Sequence, residues 1–322
     1  MTTKTATSDL ALDLRGVSKT YRGRVHALRG IDMHVGKGEI FGLLGPNGAG
    51  KSTLVKILMT VISPTACSGH MLGAPVGHKP TLGRVGYLPE HHRFPEYLSG
   101  GQVLDFFASM ARVPRADRRR RAPELLELVG MSAWAKKKVK GYSKGMRQRI
   151  GIAQTLMNDP ELVLLDEPTD GVDPVGRRDI RNILLELKRR GKTVFINSHL
   201  LSELEMVCDR VAILVQGVVA SQGTIESLTR GQERYEVELA DESPVPAALP
   251  AALPSGEKIV LTGRVLSVST ADAVRVQPLL DALRGQGAVI RSVRPTRPSL
   301  EDLFMQAVTD PRTGETLKPG AG

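Results

Sequence analysis

GPNGAGKST, Gly45–Thr53, follows the apolar run IFGLLG (Ile40–Gly45) and precedes an amphipathic segment. It fits the pattern G-x-x-x-x-G-K-[ST], in which a buried strand turns through a glycine-rich loop into a helix. Gly45, Gly48 and Gly50 let the backbone wrap closely around an anion. The loop Gly45, Pro46, Asn47, Gly48, Ala49 and Gly50, through the N–H groups of its non-proline residues, and the helix N-terminus are then expected to face the β- and γ-phosphates of a nucleotide. Lys51 adds a cation to those phosphates, Ser52 offers a hydroxyl to Mg2+, and Thr53 bonds the α-phosphate side. Such a loop needs a carboxylate at a neighbouring strand end. LVLLDE (Leu162–Glu167) supplies Asp166 directly after four apolar residues, as the residue expected to hold the metal and its waters. Glu167 follows, pointing to the other side of the strand or into the departing loop, where it is the candidate general base for an attacking water.

Outward from this loop, short apolar strands alternate with longer amphipathic helices from about residue 10 to 230, an α/β pattern with a largely parallel sheet. TVFIN (Thr193–Asn197) is a third buried strand. Residues of about 90–160 carry helical patterns and the arginine run RVPRADRRRR (Arg112–Arg121), and read as a helical subdomain inserted into the sheet domain; the run itself reads as a solvated helix face. From 231 to 308 the character changes to a small α+β appendage. YEVEL (Tyr235–Leu239) and VIRSV are strand-like, VQPLLDALRGQG is a helix ending at Gly285 or Gly287, and a second helix opens at Ser299 with Asp302 three residues on. SPVPAALPAALPSG interrupts the appendage as a loop, and residues 309–322 are expected to be a disordered tail.

The chain of 322 residues has 41% hydrophobic and 24% charged residues, ordinary for a folded globular protein. Its net charge of +10 admits phosphate-rich partners, but aromatics are only 4% and the arginine run has no interleaved stacking residues, so no nucleic-acid partner is expected. No apolar run approaches the roughly 18 residues of a spanning helix, and the N-terminal stretch lacks a basic-then-apolar leader pattern, so a cytoplasmic location is expected. Cys67 and Cys208 form no close pair and no redox or metal motif.

In the order of these elements the chain resembles the ATP-binding cassette (ABC) family over about residues 10–228. YSKGM within YSKGMRQR (Tyr142–Arg149) resembles the family's LSGGQ-like signature, which opens a helix whose N-terminus caps the γ-phosphate bound by the opposite subunit. The resemblance makes Ser143 and Gly145 those trans contacts and sets Lys144 beside them as an extra cation. It also makes Tyr21 the ring stacked on adenine, Asp173 of DGVDP the acidic residue of the loop that crosses the dimer, and His199 the switch histidine on the γ-phosphate. Glu90 of VGYLPEHHRF stands where the family has Gln at the lid to the permease. Its carboxylate keeps an oxygen for the metal or its water but adds a charge, so coupling is expected to differ while hydrolysis survives. His91 and His92 beside it read as loop residues at the permease-facing surface.

A literal LSGGQ stands elsewhere, at Leu98–Gln102, and is rejected. Ser99 lies 67 residues before Asp166 (99 to 166), whereas Ser143 lies 23 before it (143 to 166), and only the second spacing lets one helix run from signature to metal strand. Leu98–Gln102 is expected to start a different helix, VLDFFASMA.

These readings imply an α/β P-loop NTPase of the ABC type with an inserted helical subdomain and an α+β appendage. The expected activity is ATP hydrolysis with Mg2+ by a homodimer, or a dimer with a related ATPase subunit, attached at the cytoplasmic face to a separately encoded transmembrane permease. YLPE, YSKGM and RPSLEDLF look like the exporter branch with ABC-2-like permeases. An importer ATPase and a soluble ABC ATPase acting on nucleic acid or ribosomes are the alternatives.

Overall fold

The computed structural model describes residues 9–22, 25–230, 233–243, 252–253, 256–309, 312–313 and 315, which form two compact units, the first up to Thr224 together with Phe304 onward and the second Ile225–Leu303. The loop sequence after Ser243 and the tail from residue 309 lie largely outside the described residues.

The first unit begins with two long strands, β1 (Leu10–Tyr21) and β2 (Val25–Gly36), then β3 (Ile40–Leu44) and α1 (Lys51–Leu58). Two short strands follow, β4 (His70–Met71) and β5 (Ala74–Pro75), and then β6 (Val85–Leu88). The helical insertion holds α2 (Gly100–Met110), α3 (Arg115–Leu128) and α4 (Lys144–Thr155). The chain returns through β7 (Leu162–Asp166), α5 (Pro174–Arg189), β8 (Thr193–Asn197), α6 (Leu201–Val207), β9 (Arg210–Val215) and β10 (Val218–Gly223).

The six-stranded sheet runs β10-β9-β3-β8-β7-β6 and is parallel apart from the edge strand β10. Every residue of β3, β7 and β8 is buried, the expected signature of a parallel strand covered on both faces. Phe41 and Phe195 sit opposite each other in the β3–β8 register with rings stacked 5.8 Å apart. Full burial of side chains of this size stabilises the sheet by about 1.5–3 kcal/mol each.

The expectation of one largely parallel sheet from residue 10 onward is incomplete. β1 and β2 pair antiparallel, with several register shifts, and join β4 and β5 in a separate sheet of order β2-β1-β4-β5. Their inward residues, among them Leu12, Leu14, Ile31 and Met33, share one core with Phe41, Leu54 and Phe195.

The arginine run is also less solvated than a charge run suggests. Arg118 and Arg121 keep side-chain exposures of 14% and 15% and bind Asp105 and Asp159, so α3 is pinned by its own guanidinium groups to α2 and to the turn after α4. His91 is exposed as expected, but His92 is half-buried, where a side chain on Gly151 of α4 would meet its ring.

The second unit holds α7 (Ile225–Thr229), β11 (Arg234–Leu239), β12 (Ile259–Thr262), β13 (Val265–Val268), α8 (Ala273–Gly285), β14 (Ile290–Thr296) and the start of α9 (Leu300–Val308). Its antiparallel sheet, β12-β13-β11-β14, has its own core of Val237, Leu239, Leu266 and Val268 against Val276, Leu279 and Leu283 of α8. Ser299 and Asp302 exchange backbone-to-side-chain bonds of 2.9 and 3.1 Å at the start of α9.

Candidate active site

Parallel neighbours deliver their following loops to one edge of a sheet, and β3, β8, β7 and β6 are consecutive neighbours. Gly45 follows β3, Ser198 and His199 follow β8, Asp166 ends β7 with Glu167 directly after it, and Glu90 lies just beyond β6. The register sets Leu43, Asn197 and Asp166 in one row across the sheet. Residues far apart in sequence, Lys51, Ser52, Glu90, Asp166, Glu167 and His199, therefore line one cleft.

The glycine loop is shaped by close approach as much as by torsion. A side chain on Gly45 would run into the carbonyl of Leu214 on β9. Gly48 and Gly50 have φ of 81° and 107°, the left-handed region that glycine enters without strain. Gly50 is the N-cap of α1 and offers no side-chain acceptor, so the first amides of α1 remain available to an anion. Lys51 is buried, and its Nζ donates to the carbonyl of Gly45 at 2.6 Å. Burial pushes its pKa down, while the charges of Glu167, Asp166 and Glu90 push it up; burial prevails.

Asp166 is buried at the end of β7, and burial raises its carboxyl above the ordinary value although Asn197 Nδ2 donates to its Oδ1. Glu167 adopts φ of 50°, strained for a non-glycine residue, where the chain leaves the strand. Its side chain reaches the residues that follow β8. Its Oε2 accepts from Ser198 Oγ at 3.2 Å and lies 2.8 Å from His199 Nδ1. Asn197, Ser198 and Asp170, which also lines the cleft, were not singled out from sequence. Asn197 is marked in the sequence only by its place at the end of the TVFIN strand, and its partner strand is visible only in the fold.

Tyr21 ends β1, is 39% exposed, and shares an open groove with Asn47, Gly48, Lys51 and Thr53. Asp173 is the N-cap of α5, its Oδ1 accepting from Gly176 N at 2.8 Å. Ser143 is the N-cap of α4, accepting from Met146 N at 3.2 Å. Ser143 and Gly145 do not line the cleft of Lys51. They are tied to it through the loop after Glu167: Lys144 Nζ lies 2.7 Å from Asp170 Oδ2, and a side chain on Gly145 would touch Val172. Lys144 holds the Asp170 carboxyl below its usual range, its hydrogen bond outweighing the opposing effect of burial.

A family profile described as "ABC transporter" matches residues 28–170, and one described as "ATP-binding protein DrrA1-3-like, C-terminal domain" matches residues 220–308. An uncharacterized ABC transporter ATP-binding protein of Synechocystis is 41% identical over 91% of this chain and 83% of its own length. The daunorubicin resistance ATP-binding protein DrrA3 of Streptomyces coeruleorubidus is 34% identical over 95% of this chain and 98% of its own. Among solved structures, one described as the ATP binding subunit of an ABC transporter superposes with a TM-score of 0.62 at 28% identity, over 68% of this chain and 92% of that one. The chain belongs to the ABC transporter family, as an ATP-hydrolysing, ATP-binding subunit with a DrrA-like C-terminal domain.

Proposed function

We propose that two copies of this chain, or one copy and a related subunit, close on two ATP molecules and drive export through a separately encoded membrane permease. The observation that carries the reading is a division within one chain. Lys51, Ser52, Asp166 and Glu167 line the cleft, whereas the signature turn at Ser143 and Gly145 lies outside it, so a second copy is needed to face those amides toward the γ-phosphate. Tyr21 stacks on the adenine, the non-proline amides of the loop Gly45–Gly50 and the Lys51 ammonium hold the phosphates, and Thr53 bonds the α-phosphate side. Asp173 crosses toward the second copy while capping its own helix.

The fit of Mg2+ follows from the donors. Glu90, Asp166 and Glu167 set three carboxylates against Lys51, and Ser52 adds a hydroxyl, an all-oxygen set suited to a hard divalent cation. Ser52, Asp166 and Glu90 would share the ion with phosphate oxygens, while Glu167 is kept for the water. Held there by Ser52, Asp166 and Glu90, Mg2+ would supply positive charge to offset the charge of the phosphate oxygens. His199 and Ser198 fix Oε2 of Glu167, which leaves Oε1 to accept a proton from water. The water oxygen bonds to the γ-phosphorus, the bond to the bridging oxygen breaks, and ADP departs with the electron pair. Loss of the γ-phosphate removes what holds the copies together, and the closing and opening is passed to the permease. Among the described residues no helix is long and apolar enough to cross a membrane, so the moving pathway is assigned to another chain, with this one peripheral on the cytoplasmic face. Relatives named for daunorubicin resistance and Nod factor export support the outward direction.

Glu167→Gln tests the reading. Turnover is expected to fall at least about 100-fold, the scale of losing a general base, while Mg-ATP binding persists and the chain becomes a dimer by sedimentation. Tagged and recovered from detergent-solubilised membranes with Mg-ATP, it is expected to bring a polytopic membrane protein. Near-normal turnover removes Glu167 as the base, and ribosomal proteins or nucleic acid in place of a membrane partner would refute the permease assignment.

A further inference from the structure

The signature turn carries a lysine whose position the dimer reading leaves unexplained. Lys144 is the first residue of α4, yet its ammonium is turned toward its own chain, 2.7 Å from Asp170 Oδ2. Gly171 adopts φ of 60°, which favours glycine, and the lysine side chain packs over it, with its Nζ against the place where a Cβ would stand. Asp170 follows Glu167 by one turn, with its amide donating to the carbonyl of Glu167 at 3.2 Å, and it lines the same cleft. One ion pair therefore joins the turn that faces a partner's nucleotide to the loop that borders the chain's own.

We propose that Lys144 is a latch between the two nucleotide sites of the dimer, held by Asp170 in the separate chain and drawn off by the γ-phosphate that the partner presents. The proposal rests on the shared-site reading above. Both groups are about half exposed, with side-chain exposures of 54% and 45%, so their attraction is screened and modest. A γ-phosphate carries more negative charge than one carboxylate and competes for the same ammonium. Release of Asp170 then changes the charge facing the chain's own cleft. Occupancy at one site is thereby felt at the other, and by linkage the effect runs both ways.

The experiment uses full-length chain with Glu167→Gln to block turnover, and follows Mg-ATP-driven dimerisation by analytical ultracentrifugation in Lys144→Gln, Asp170→Asn and the double variant. Asp170→Asn frees the lysine, so the ATP concentration for half-maximal dimerisation is expected to fall about two- to fivefold, the range for an exposed pair. Lys144→Gln raises it, Lys144→Arg restores it, and with Gln at 144 the change at Asp170 has no further effect. The same Asp170→Asn chain is expected to unfold at slightly lower urea. A merely structural pair would move stability and dimerisation in the same direction, whereas a latch moves them in opposite directions. An equal effect of Asp170→Asn with and without Lys144, or a weakened dimer, overturns the latch while leaving the shared site standing. A Glu167→Gln chain that stays monomeric in Mg-ATP overturns the shared-site reading and the latch with it.

Discussion

The starts of α2 and α4 use the same capping chemistry on opposite terms. At α2, Ser99 and Gln102 form a reciprocal capping box, with Ser99 N donating to Gln102 Oε1 at 2.8 Å. The next two amides are also taken inside the fold, Gly100 N by the carbonyl of Lys137 and Gly101 N by that of Ala135. At α4, Ser143 caps Met146, but the residue three places on is methionine and cannot reach back. No acceptor among the described residues takes the amides of Lys144 and Gly145. A helix N-terminus binds an anion only where its amides are left over. The literal LSGGQ has spent its donors on folding, and the degenerate YSKGM has kept them.

The sharpest way to break this contrast is to place the same acidic residue at equivalent positions in the two turns. Gly145→Asp sets a carboxylate where a γ-phosphate is to bind, and steady-state ATP hydrolysis is expected to fall by about 10²–10³, the effect of losing a preorganised donor to a charged centre. Gly101→Asp meets nothing closer than 3.5 Å and favours the helix dipole, so hydrolysis is expected to stay within about threefold of the parent. Equal losses would end the distinction.

Serine removal gives a smaller and more diagnostic effect. Ser99→Ala and Ser143→Ala each delete an N-cap and are expected to lower stability by about 0.5–2 kcal/mol in urea titrations. Only Ser143→Ala is expected to reduce hydrolysis as well, by about tenfold or more, which separates a cap from a cap that also contacts phosphate. The smallest effect tests what fixes the far end of α4. Asp159 is bound by Lys192 and Arg121, and the Lys192 hydrogen bond is the largest cause of its lowered pKa. A depressed carboxylate contributes stability that is full above the unfolded value near about 3.9 and is lost as pH falls through the lower folded value. Because Asp159 is largely exposed, Asp159→Asn is expected to lower stability by less than about 1 kcal/mol at neutral pH. The difference between parent and variant should close as urea midpoints are followed into the acid range.

What could be read from sequence was local. The apolar runs of β3, β7 and β8, the glycine loop and the carboxylates at 166 and 167 each lie within a few neighbouring residues, and periodicity or a short pattern exposes them. What could not be read depends on pairing across the chain. Asn197 meets Asp166 because β7 and β8 are in parallel register 31 residues apart, and no pattern near Asn197 says so. β1 and β2 alternate like ordinary strands and give no sign that they leave the main sheet. β12 and β13 are not legible because four-residue strands beside a Pro- and Ala-rich stretch carry too few positions to show a period.

The backbone at Glu167 has a consequence for the history of the molecule. A left-handed torsion at a glutamate costs about 1–3 kcal/mol relative to what a glycine would feel there. Selection for robustness alone would therefore drift away from glutamate at this position, and a laboratory search for hardier variants that never asks for turnover would be drawn to the same exit. Thr60, Leu72, Arg112, Asp159 and Gln216 share this torsion, but of these six only Glu167 combines it with a side chain that lines the cleft, so there stability and turnover ask for different residues.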